Sequence, residues 1–152
     1  MSREMELRHD DVVKKLRRSF GVAAVAKGDR LPSDGPAQAT ILLVEDEVLV
    51  RMSLADQLRR AGYVVFEASS AEEALDLLQG NSVQLVLSDI RMPGSMDGAE
   101  LARAIRAHYP QIKIVLASGQ SFSAKNWGDS DGFFPKPYDP NRLMQHIKRL
   151  VG

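Results

Sequence analysis

The stretch TILLVED, residues 40–46, runs from an apolar segment straight into two acidic side chains. Its apolar part has the length and the aliphatic composition of a strand that is buried on both faces. Three later stretches repeat the pattern of a short apolar run that ends at a polar side chain: 85–88 before Asp89, 114–117 before Ser118, and 133–134 before Lys136. This repeated pattern therefore predicts several short strands, each of which ends at a chemically active side chain.

Working outward from these runs, strands are predicted near 40–45, 63–67, 84–88, 112–117 and 132–135. Helical patterns lie between them and are predicted to begin near Val48, after Ser70, at Asp97-Gly98, and at Asp139 or Pro140. The first helix is expected to end at about Ala61, with that residue on its buried face. Alternation of this kind predicts an α/β fold, a doubly wound five-stranded parallel sheet with helices on both faces.

The helical slot between the fourth and fifth strands is poor in helix formers. Residues 119–132 contain three glycines and many turn-forming side chains. We expect this helix, the fourth in the usual alternation, to be short or missing, with about one or two turns over 121–126.

Because the carboxyl ends of parallel strands meet at one edge of a sheet, the polar side chains at these ends should share a pocket. They are Glu45, Asp46, Asp89, Ser118 and Lys136. Three carboxylates that lie close together repel one another unless a cation joins them. The pattern therefore predicts a divalent metal beside a carboxylate nucleophile.

Composition places the chain among ordinary globular proteins. Its 152 residues are 44% hydrophobic and 26% charged, with a formal net charge of zero and no cysteine. The charge balance gives no bias toward nucleic acid or membrane, and the absence of cysteine excludes disulfides. No apolar run approaches the ~20 residues needed to cross a bilayer, and the N-terminus lacks the apolar core of a secretory signal. These features predict a cytoplasmic protein.

The chain divides in sequence into residues 1–38, an extension or linker, and residues 39–152, the α/β domain. The extension ends in a stretch rich in glycine and proline, and residues 10–20 could form a short amphipathic helix. Its basic cluster at 14–18 is partly cancelled by nearby acids, so a solvated extension is favoured over a nucleic-acid or membrane site. The three histidines, His9, His108 and His146, are scattered and are predicted to lie on the surface.

Residues 40–151 resemble the receiver domain of bacterial two-component response regulators. The resemblance is carried by the segments ILLVEDE, LVLSDIRMPGSMDGAELARAIR, IVLASG and GFFPKPY. It implies a flavodoxin-like sheet with strand order 2-1-3-4-5. The chain departs from the family pattern in two places: Gly94-Ser95 lengthens the loop after Asp89, and the segment between Ser118 and Lys136 is shortened.

The same resemblance implies a Mg²⁺ site. Asp46 and Asp89 would bind the ion directly, and Glu45 would act mostly through water. The backbone carbonyl of Arg91 would complete the protein's share of the ligands.

It also implies roles in phosphoryl transfer. Asp89 would accept a phosphoryl group from a sensor histidine kinase or a phosphotransfer protein, and Lys136 would contact a phosphoryl oxygen. Ser118 would move to hydrogen-bond the phosphoryl group, and Phe133 would turn inward as the switch aromatic.

These features predict a stand-alone, single-domain response regulator in a phosphorelay, a monomer or weak homodimer. It would signal to an unknown downstream protein by conformational change and protein contact, or act as a phosphate shuttle or sink. It would be no enzyme beyond its own phosphotransfer and autodephosphorylation. Two alternatives stay open at this stage: a phosphohydrolase with an aspartyl-phosphate intermediate, and a binding module that works without phosphorylation.

Overall fold

The structure is a computed structural model that describes residues 38–119 and 129–152. These residues form five strands: β1 (Thr40–Val44), β2 (Val64–Ala68), β3 (Leu85–Asp89), β4 (Lys113–Ser118) and β5 (Gly132–Pro135). The helices of these described residues are α1 (Val48–Arg60), α2 (Ala71–Gly80), α3 (Gly98–His108) and α4 (Pro140–Val151). All strand pairs are parallel and lie in the order β2-β1-β3-β4-β5, which confirms the predicted fold class and strand order.

The register of the strands brings their carboxyl ends to one edge of the sheet. Val44 lies beside Ser88, Asp89 lies beside Ala117, and Ser118 lies beside Pro135. The residues that follow β1, β3, β4 and β5 therefore emerge side by side, as the sequence pattern predicts.

Side chains on the central strands alternate between two cores, one on each face of the sheet. On one face Leu42 and Val44 pack with buried residues of α2 and α3, and on the other Ile41 and Leu43 pack with those of α1 and α4. Burial on both faces removes a large apolar area from water, which is the main favourable term in folding. The prediction of helices on both faces is confirmed.

Three of the helices begin at side-chain caps. The hydroxyl of Ser70 accepts a hydrogen bond from the Glu73 amide at 3.2 Å, and the carboxylate of Asp97 accepts one from the Glu100 amide at 2.8 Å. Asp139 caps α4 in the same way, with proline at the start of the helix. These caps satisfy amides that have no partner within the helix, so the starts read from the sequence are correct.

The predicted boundaries needed one correction. Helix α1 ends at Arg60, and Ala61 is exposed instead of lying on the buried face. The chain turns at Gly62, whose φ of 98° is in the left-handed region that favours glycine. The predicted short helix over 121–126 lies outside the described residues, and so does the predicted extension 1–38 except for its last residue. Among the described helices, none has both the length and the apolar character needed to cross a membrane.

Candidate functional site

The turn between β1 and α1 carries the acidic pair. The amide of Glu45 donates to the carbonyl of Ala68 at 3.0 Å, which fastens the turn to the end of β2. The amide of Glu47 donates back to the Glu45 carboxylate at 3.1 Å. Glu45 is only 3% exposed, whereas Asp46 is half-buried and reaches the surface of the pocket.

Three carboxylates meet at this edge of the sheet. One oxygen each from Glu45, Asp46 and Asp89 lies within 4.8 Å of the others. The ammonium of Lys136 donates to Glu45 at 3.2 Å and to Asp89 at 3.1 Å. The structure thus brings together four of the side chains that the sequence placed in one pocket.

Two pKa values in this pocket are shifted upward, for different reasons. Burial raises the pKa of Glu45, and the nearby charge of Asp89 adds to the shift, although the Glu47 amide and Lys136 oppose it. Burial would lower the pKa of Lys136, but the hydrogen bonds and charges of Asp89 and Glu45 outweigh it and raise that pKa. The lysine therefore stays an ammonium ion at neutral pH while it faces an excess of carboxylates.

The loop after Asp89 returns closely on the end of β3. The amide of Arg91 donates to a carboxylate oxygen of Asp89 at 3.3 Å, which helps to orient the side chain. The amide of Gly98 donates to the carbonyl of Ile90 at 2.8 Å. A side chain at 98 would overlap the carbonyl of Asp89, so this close return requires glycine.

The lengthened part of this loop, Gly94-Ser95, has a partner on α2. The hydroxyl of Ser95 donates to the carboxylate of Glu72, and Gly94 lies against the same carboxylate with a φ of 116°. The hydrogen bond from Ser95 lowers the pKa of Glu72. The lengthened loop is therefore tied to the neighbouring helix.

Ser118 and Phe133 lie on the two strands that border the pocket. Ser118 ends β4, is fully buried, and accepts the Lys136 amide with its backbone carbonyl at 2.7 Å. Phe133 is half-buried on β5 and packs against the core that contains Leu42. Their positions agree with the sequence pattern, while their switch roles stay predictions.

The chemistry of the donors fits a hard divalent cation. Every side-chain ligand that the acidic cluster offers is a carboxylate oxygen, and Mg²⁺ prefers oxygen ligands while keeping several waters. Lys136 balances only one of the three carboxylates with which it shares the pocket. Glu45, Asp46 and Asp89 could therefore hold a metal, and the excess charge would favour its binding.

Sequence reasoning missed Arg51 and misplaced His146. The Arg51 guanidinium donates to the backbone carbonyl of Glu45, the first residue of the acidic pair, at 2.7 Å. A basic residue in the first turn of the helix that follows two acids was the signal that could have found it. His146, predicted on the surface, is half-buried, and its Nε2 lies 3.0 Å from the carbonyl of Asp131.

Comparison with known proteins places the chain and its fold in one family. The family model described as "Response regulator receiver domain" matches residues 41–148. In structure, the chain is similar to the response regulator TrrA of Thermotoga maritima in complex with Mg²⁺ and BeF, with 32% identity and a TM-score of 0.70. That match covers 75% of this chain and 100% of the other.

Two curated relatives are similar over most of this chain. The sensor kinase CckA of Brucella abortus is 39% identical over 136 residues, which are 86% of this chain and 14% of that protein. The response regulator FleR of Pseudomonas aeruginosa is 35% identical over 116 residues, which are 73% of this chain and 24% of that protein. The chain thus spans only a minor part of these relatives. It belongs to the response regulator receiver domain family, the phosphoacceptor signalling domains of two-component systems.

Proposed function

We propose that Asp89 is the residue that takes up the phosphoryl group. The observation that carries this proposal is the placement of its carboxylate at the end of β3, 3.1 Å from the Lys136 ammonium and beside two further acids. A carboxylate is a weak nucleophile, so positioning and charge neutralisation must supply the rate.

The transfer itself exchanges one bond to phosphorus for another. A carboxylate oxygen of Asp89 attacks the phosphorus of a phosphohistidine on the donor protein, and the nitrogen–phosphorus bond breaks. The electron pair of that bond stays on the imidazole nitrogen, and an acyl phosphate forms on Asp89. Charge spread over the three equatorial oxygens in the transition state must be stabilised by groups already in place.

Lys136 is the cation that this chain supplies for that purpose. Its raised pKa keeps it charged, and its contact with Asp89 puts it next to the incoming oxygens. Asp46, Asp89, Glu45 through water, and the carbonyl of Arg91 would hold Mg²⁺. When bound, the ion offsets the negative charge that the acids and the phosphoryl group share.

The phosphoryl group would then change the surface near β4 and β5. It adds roughly −1.5 to −2 charge and three acceptor oxygens, which would draw the Ser118 hydroxyl toward Asp89. Phe133 on the neighbouring strand would turn into the space that Ser118 leaves. The donor is a histidine kinase or phosphotransfer protein, the readout is contact with a downstream protein, and catalysis is limited to the domain's own phosphorylation and dephosphorylation.

The test uses a small phosphodonor, acetyl phosphate, with the full chain. Wild-type protein is expected to form an acid-stable, base-labile phosphoryl adduct in Mg²⁺, and both chelation and Asp89→Asn should abolish it. Asp97→Asn is the matched control, because Asp97 caps α3 near the same loop and has no part in the cluster. Labelling of the Asp89→Asn protein at another residue, or repeated turnover of a phosphate ester, would contradict the proposal.

A further inference from the structure

The Arg51 side chain joins the acidic turn to the edge of the sheet. Its Nη1 donates to the carbonyl of Glu45 at 2.7 Å, and its Nε lies 3.6 Å from the carboxylate of Glu67 on β2. Only 17% of the side chain is exposed. The guanidinium thus touches the backbone of the residue directly before Asp46.

The position of Arg51 in its helix calls for a reason. It is the fourth residue of α1, and this helix has no acidic residue in its first turn and no side-chain cap. A cation near a helix N-terminus opposes the helix dipole, so Arg51 costs some helix stability where it stands. Its hydrogen bond to Glu45 and its ion pair with Glu67 offset that cost, and both hold the β1–α1 turn in place.

A few other hydrogen bonds hold the β1–α1 turn around Glu45. The Glu45 amide is held by Ala68, and the Glu45 side chain is held by Glu47 and Lys136. Among the hydrogen bonds described for this turn, the bond from Arg51 is the one that fixes the carbonyl leading into Asp46. Rotation of that peptide would swing the Asp46 carboxylate away from Asp89.

From this geometry we infer that Arg51 is a positioning residue for the metal site: it fixes the peptide that aims Asp46 at the divalent cation. This inference rests on the proposed Mg²⁺ site. Groups that orient metal ligands without touching the metal typically change its affinity by about 10- to 100-fold when they are removed. We expect removal of the Arg51 side chain to lower the Mg²⁺ affinity about 10-fold, because only one of several hydrogen bonds that hold the turn is lost.

The sign of the effect separates this role from a simple charge effect. As a nearby cation, Arg51 repels a divalent ion, so removal of its charge alone would tighten binding. As a positioning residue, it supports the ligand geometry, so its removal would weaken binding. The two accounts therefore predict opposite changes in the Mg²⁺ dissociation constant.

The experiment measures Mg²⁺ binding to the full chain by calorimetry, with no phosphodonor present. Arg51→Met should weaken binding about 10-fold, and Arg51→Lys should recover part of the loss. The matched control is Arg59→Met on the same helix. Arg59 also pairs with Glu67, at 2.9 Å, but bonds the carbonyl of Val65 instead of the acidic turn.

Thermal unfolding without metal completes the test. Arg51→Met and Arg59→Met each lose an ion pair to Glu67 and should lose similar stability, while only Arg51→Met loses Mg²⁺ affinity. Unchanged or tighter binding by folded Arg51→Met, or an equal loss in Arg59→Met, would overturn the inference. If Arg51→Met does not fold, Mg²⁺ binding is compared between Arg51→Lys and the wild type instead, and unchanged or tighter binding by Arg51→Lys would overturn the inference. Wild-type protein that binds no Mg²⁺ would instead contradict the proposed metal site, and the role of Arg51 with it.

Discussion

Strand β5 has a cluster of charged side chains at each end, and the two clusters differ in their balance of positive and negative charge. Past its carboxyl end, the ammonium of Lys136 faces the carboxylates of Glu45 and Asp89, with Asp46 in the same group. Before its start, Arg106 and Asp131 pair one to one at 2.9 Å.

Further hydrogen bonds hold the second cluster in place. Arg106 donates to the carbonyls of Pro110, Ile112 and Asp129 as well as to the Asp131 carboxylate. Asp131 in turn accepts from the amide of Ile114 at 2.8 Å. An ion pair of matched charge with several further hydrogen bonds stabilises a junction between helix and sheet, and it offers little to a ligand.

This difference in charge balance indicates how a binding site can be distinguished from a structural ion pair. Both clusters are partly buried and both contain carboxylates, so neither burial nor charge separates them. What distinguishes the first cluster is its unmatched excess of negative charge. Such an excess raises the free energy of the pocket until a cation binds. The predictions below test whether the two clusters behave as differently as their balance implies.

The largest expected difference is between the two cations. Lys136→Met should slow labelling of Asp89 by acetyl phosphate about 100-fold, as removal of one transition-state donor typically does. Arg106→Met should leave the labelling rate of the folded protein close to that of the wild type. If Lys136→Met protein were labelled at the wild-type rate, the two clusters would not differ in their contribution to phosphorylation.

The next difference concerns the stability of the metal-free protein. Asp131→Ala should lower the free energy of unfolding by about 1–3 kcal/mol, because Arg106 and the Ile114 amide lose a partly buried acceptor. Asp46→Asn removes one of three crowded carboxylates and should cost less or stabilise the fold. Chemical denaturation measures both, and a larger loss for Asp46→Asn than for Asp131→Ala would contradict this assignment.

The smallest expected effect is the pH dependence that Glu45 contributes. Its raised pKa means that the folded state binds this proton more tightly than the unfolded state, so stability falls as the pH rises through the range where Glu45 ionises. Without metal, Glu45→Gln should be more stable than the wild type at neutral pH, and the gap should close as the pH falls toward the ordinary glutamate range. A gap that widens on acidification would show that the shift has the opposite sign.

Much of this arrangement could be predicted because strand ends are visible in a sequence. The apolar run before Glu45 and the one before Asp89 each mark a buried strand, and a parallel sheet places their ends together whatever the loops do. Pocket membership followed from the fold alone. The functional roles required the family resemblance in addition.

The contacts behind the pocket could not be predicted in the same way. The sequence shows a basic residue near the start of α1, but whether Arg51 reaches the Glu45 carbonyl depends on its rotamer and on where β2 lies, which the local sequence does not determine. The Arg106–Asp131 pair joins residues from α3 and the start of β5, and the half-buried position of His146 depends on the same junction. The buried position predicted for Ala61 was wrong because the apolar spacing of α1 extends to that residue, whereas the helix ends at Arg60, just before the turn at Gly62.

The most direct test of the central claim is the location of the phosphoryl group in wild-type protein. After labelling with acetyl phosphate in Mg²⁺, borohydride reduction converts an aspartyl phosphate to homoserine, and peptide mass spectrometry then locates it. The account predicts homoserine at position 89 alone, with none when a chelator replaces Mg²⁺. Homoserine at Asp131 or another aspartate, or equal labelling without divalent metal, would contradict it.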